Sequence, residues 1–83
     1  MPYIEGYQRV EMDAVVETMI LRRALPDGRL SYVLFKLCKD TVVPSYNNYK
    51  NFIGELNECA AEIRRRFMVP YEDEKCHDNG DVE

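Results

Sequence analysis

The stretch Tyr49-Lys50-Asn51-Phe52-Ile53-Gly54-Glu55-Leu56-Asn57-Glu58-Cys59-Ala60-Ala61-Glu62-Ile63-Arg64-Arg65-Arg66-Phe67 decides the fold. Within it Tyr49, Ile53, Leu56, Ala60, Ile63 and Phe67 alternate spacings of four and three, which lays one continuous apolar seam along an α-helix. Phe52 and Cys59 flank the seam and widen it. Glu58, Glu62, Arg65 and Arg66 fall on the wetter face, where Glu62 can pair with Arg66 one turn later. The seam predicts a long helix whose stripe serves a bundle core, an oligomer interface, or both. Gly54 inside it costs about 1 kcal/mol relative to alanine and reads as a point of close packing against a neighbouring helix.

Toward the amino terminus, Met12, Val15, Val16, Met19 and Ile20 repeat at helical spacing between Arg9 and Leu25, with Glu11, Asp13 and Glu17 early and Arg22 and Arg23 late. Pro26-Asp27-Gly28 stops that helix, because proline cannot donate to the ladder and glycine tolerates positive φ. From Arg29 to about Val43 the set Leu30, Val33, Leu34, Leu37, Cys38 and Thr41 again fits a helical period. Ser31-Tyr32-Val33-Leu34-Phe35 alone would suit a strand, but the length favours helix. Val42-Val43-Pro44 ends the segment, and Ser45 or Asn47 caps the next helix, which begins near Tyr46.

Toward the carboxyl terminus, Pro70 predicts a break or kink, with Val69 pushed toward extended backbone. Proline also suits the first turn of a new helix, where Glu72, Asp73 and Glu74 meet the positive end of the dipole and Lys75 and His77 the negative end. Asn79-Gly80 supplies the exit. The fold expected is all-α: a three-helix bundle or hairpin with one long C-terminal helix and a short fourth helical segment after Pro70. It forms one small domain over residues 1–83, with 79–83 as a mobile tail.

A chain of 83 residues holds a single small core, which rarely supplies more than roughly 3 to 5 kcal/mol without disulfides, metal or self-association. Cys38, Cys59 and Cys76 are odd in number and form no C-x-x-C pair, so reduced thiols fit better than a disulfide framework or a zinc site. Self-association is what remains. There is no apolar span for a membrane and no signal-like amino terminus, and the net charge of −4 disfavours general nucleic-acid binding.

Candidate binding residues cluster late in the chain. Arg64, Arg65 and Arg66 could take phosphate or carboxylate through planar guanidinium groups, and Tyr71 could stack on a base. On an α-helix the three arginines point about 100° apart, so they cannot all face one ligand; Arg64 and Arg66 flank the seam and Arg65 faces water. Glu72, Asp73 and Glu74 offer the alternative, an acidic surface for a protein partner. Cys76, His77 and Asp78 diverge as neighbours on a helix and set up neither a metal site nor a nucleophile, so no metal, cofactor or catalytic residue is assigned.

Asn48-Tyr49, Ile53-Gly54, Leu56, Glu58-Cys59-Ala60, Glu62, Arg64-Arg65-Arg66, Pro70-Tyr71-Glu72-Asp73, Lys75 and Asn79-Gly80-Asp81-Val82, with Met1-Pro2-Tyr3-Ile4 and Leu30-Ser31-Tyr32-Val33, resemble a family of short uncharacterised proteins of tailed bacteriophages. The resemblance implies a small accessory protein of no settled activity in the cytoplasm of an infected bacterium, and the residues, which bring no base, nucleophile and orienting group together, add that it is not an enzyme. By analogy with other small helical phage proteins, the resemblance implies anti-defence or host takeover by binding. The expectation is a homo-oligomer that sequesters a small anionic, nucleotide-like ligand with Arg64, Arg65, Arg66 and Tyr71. The alternatives are an inhibitor that covers a host bacterial protein through Glu72, Asp73 and Glu74, and a structural part in phage morphogenesis.

Overall fold

A computed structural model describes residues 4–80, and every regular element among them is helical: α1 (Gly6–Leu21), α2 (Arg29–Thr41), α3 (Tyr46–Ile63), a π-helical turn (Arg64–Met68) and α4 (Val69–Asn79). The last three run on from one another as one helix of 34 residues. Backbone proximity divides the chain into two units, one ending at Tyr49 and the other beginning at Lys50. The expected tail falls partly on residues 81–83, which lie outside the described residues.

In the amino-terminal unit, α1 starts earlier than its apolar repeat suggests, because Gln8 reaches back to accept the Glu5 amide at 2.8 Å and fixes the first turn. That start leaves Glu11 and Asp13 past the first turn, with Glu5 at the N-cap, while Arg22 and Arg23 directly follow the last residue, at the end where their charge was expected. Its end is a paired closure. The Arg23 amide donates to Ile20 and the Ala24 amide to Met19, at 3.1 and 2.9 Å, which is the Schellman arrangement with Arg23 in the left-handed position at φ 56°. Gly28, at φ 111°, then opens α2, and Asp27 accepts the Arg29 amide at 3.2 Å.

α2 is helical through Ser31–Phe35, so length prevails over strand propensity there. It ends before the proline at Val42, whose backbone is extended. Ser45 is the cap of α3, its hydroxyl accepting the Asn48 amide at 3.0 Å; Asn47 is not. Asn48 in turn donates its side-chain amide to the Val43 carbonyl at 2.9 Å and ties the connection down.

In the carboxyl-terminal unit the chain does not break at Pro70. Val69 is α-helical at φ −64°, ψ −49°, not extended, and its amide donates to the Arg64 carbonyl five residues back. The physical reason lies in the proline ring. Pro70 has no amide to give the Arg66 carbonyl and would crowd it in a regular turn, and a wider π turn relieves the clash while the helix continues.

No side chain among the described residues is buried. Gly54, expected to mark close packing, has open space where a Cβ would stand, with nothing within 4 Å. Apolar side chains on every helix, from Tyr7 to Tyr71, face solvent in the single chain.

Candidate functional site

The π turn presents the arginine triplet, and the preceding turn of α3 supplies its counter-charge. Both oxygens of Glu62 accept from Nη2 of Arg65, at 2.5 and 2.6 Å, and Nε of Arg66 stands 2.5 Å from Oε1. The expected Glu62–Arg66 pair is therefore present. Arg65 faces water as expected, its side chain 67% exposed, and also shares the same carboxylate. Neighbouring α-carbons diverge around the axis, but guanidinium groups on long stems converge when one acceptor sits three and four residues behind them. That spacing was visible in the sequence.

Glu62 feels this directly. The Arg65 hydrogen bond holds its carboxyl below the ordinary glutamate range, partial desolvation opposes the shift, and the charges of Arg65 and Arg66 add to the lowering. Arg64 differs from its neighbours. It joins no ion pair among the described residues.

Tyr71 lies one turn beyond the π segment and is 60% exposed, with Nζ of Lys75 at 5.6 Å from its ring centroid. A stacking ring is thus available, and a cation one turn later already sits over it. Glu72, Asp73 and Glu74 are all exposed and join no ion pair among the described residues. No three His, Cys, Asp or Glu side chains among those residues group as a metal set, and Cys59 and Cys76 are exposed free thiols.

The seam residues Tyr49, Ile53, Leu56, Ala60, Ile63 and Phe67 are all exposed, from 37% at Leu56 to 68% at Phe67 among the large ones. Phe52 is half-buried; Cys59, expected to widen a buried stripe, is not. Among the described residues no helix is long and apolar enough to cross a membrane.

The chain belongs to the family described as Domain of unknown function (DUF6899), which matches it over residues 1–82. No curated protein and no solved structure matches it.

Proposed function

We propose that this member of the DUF6899 family is a non-enzymatic bacteriophage accessory protein that acts by binding, as an assembly of its own copies, in anti-defence or host takeover in the bacterial cytoplasm. The observation that carries the self-association is the seam. An apolar stripe of helical spacing that is open from end to end in one chain, in a molecule with no buried side chain among its described residues, gains most by covering itself with another copy. The long helix then packs its stripe against that of another subunit. Native mass spectrometry of the protein purified from bacteria tests this: an oligomer is expected, and a monomer across the accessible concentration range would refute it.

A second observation favours a small anionic, nucleotide-like ligand for that assembly. Arg65 and Arg66 already converge on one oxyanion, the carboxylate of Glu62, which a phosphate could displace, and Tyr71 offers an exposed ring for a base. Glu62 is then the competitor for the site. Glu62→Gln is expected to tighten nucleotide binding in calorimetry, and Arg65→Glu with Arg66→Glu to abolish it. Recovery of a stoichiometric host protein in place of a nucleotide-sized mass would move the assignment to the acidic Glu72, Asp73 and Glu74 surface.

A further inference from the structure

We infer that two copies of this chain pair antiparallel across the segment Phe67–Tyr71, with Arg64 of each copy set against Glu74 of the other. The inference rests on the self-association proposed above and places one contact of it at the carboxyl-terminal end of the seam: with the axis at Val69 the two helices overlap over residues 59–79, and Tyr49, Ile53 and Leu56 lie outside this pairing.

The segment is an apolar strip between opposite charges. Phe67, Met68, Val69 and Tyr71 are 68, 50, 47 and 60% exposed. Arg64-Arg65-Arg66 precede them and Glu72-Asp73-Glu74 follow. Within its own chain neither Arg64 nor any of the three carboxylates joins an ion pair among the described residues, so these charges are open to a partner.

The order of residues is self-complementary about Val69. Arg64 and Glu74 lie five residues to either side of it, and Phe67 and Tyr71 two. A two-fold axis at Val69 therefore brings Arg64 level with the partner's Glu74 and Phe67 level with the partner's Tyr71, and symmetry repeats each contact; in a dimer of this register Tyr71 packs against the partner in place of stacking on a base. The π turn helps the apolar strip continue. It holds more residues per turn than an α-helix, so Ile63, Phe67 and Tyr71, at intervals of four, stay closer to one line than a period of 3.6 permits.

Two other ways of pairing this helix with itself bring like charges together. A parallel pair stacks the arginine triplets on each other and the acidic triplets likewise. An antiparallel pair centred on the middle of the seam puts Glu58 opposite Glu58 and Arg66 level with Lys50. Like charges set opposite one another destabilise a pair and steer the copies away from that register.

Sedimentation equilibrium of the full chain tests the register, with circular dichroism confirming that each variant keeps its helix content. Arg64→Glu and Glu74→Lys, separately, are expected to weaken the dimer roughly tenfold each, because every substitution turns two attractions per dimer into two repulsions. The double variant in one chain is expected to recover the original affinity. An oligomer indifferent to both reversals would overturn this register and leave the self-association reading standing. A chain that stays monomeric at every concentration would overturn both.

Discussion

Pro26 and Pro70 both come after long helical stretches, yet the chain turns at the first and continues as helix through the second. Around Pro26 the helix has already been closed by Arg23 in the left-handed region, Gly28 adds a second positive φ, and Asp27 offers the next helix an acceptor for an early amide. Around Pro70 none of these aids is present. Ile63, Met68 and Val69 all hold right-handed helical angles, and the missing amide is absorbed by one wide turn. A proline thus removes one donor and crowds one carbonyl, but the chain leaves the helix where its neighbours take positive φ, as Arg23 and Gly28 do and no residue beside Pro70 does.

The sharpest way to break this comparison is Pro70→Ala. Restoring the amide and removing the ring should let the π turn relax to a regular one, with a gain in thermal stability of up to about 3 kcal/mol, less whatever the wide turn already relieves. Amide exchange and carbon chemical shifts across Arg64–Met68 would report the change. A π turn that survives the substitution would show that the arginine triplet, not the proline, holds it open.

On the other side of the comparison, Gly28→Ala should destabilise by about 1 to 2 kcal/mol, since φ 111° is a region that side chains avoid. The cost is conformational, because a Cβ there meets nothing within 4 Å. Gly28→Asn should lose less, because asparagine tolerates positive φ better than alanine. Equal melting of the wild type and the alanine variant would mean that the turn does not depend on this angle. Arg23→Gly should act in the opposite direction and raise stability by about 1 kcal/mol or less, because it removes the penalty of a left-handed arginine while leaving both closing hydrogen bonds in the backbone.

These same positions show which parts of the structure could be read from the residues. The helix over the seam, the Ser45 cap, the turn at Pro26-Asp27-Gly28 and the exit at Gly80 follow from local chemistry, and each was anticipated from spacing or from a residue with a strong conformational preference. The early start of α1 was missed because its capping partner is Gln8, a residue that also sits unremarkably inside helices. Continuity through Pro70 was missed because the choice between a break and a π turn depends on balancing one clash against one lost hydrogen bond, a difference with no compositional mark. In the candidate site, Glu62 with Arg66 was legible, and Arg65 would have been had the interval of three been given equal weight. The fate of the seam was not legible, since its spacing is the same whether the covering surface comes from this chain or from another copy.

The smallest effect expected lies at Glu62, in the turn just before the helix widens. Its carboxyl protonates at lower pH in the folded chain than in the unfolded one, chiefly because of the hydrogen bond from Arg65. A depressed carboxylate contributes its stability fully above the unfolded value of about 4.3, and loses it as pH falls through the lower, folded value. Helix content should therefore decline below about pH 4.3 more steeply in the wild type than in Glu62→Gln, with the two curves differing by a constant amount at neutral pH. Because the clamp is open to solvent, added salt should shrink that difference. If Glu62→Gln instead follows the wild type at every pH, the pairing with Arg65 and Arg66 adds nothing to the helix, and the proline alone sets the form of the wide turn.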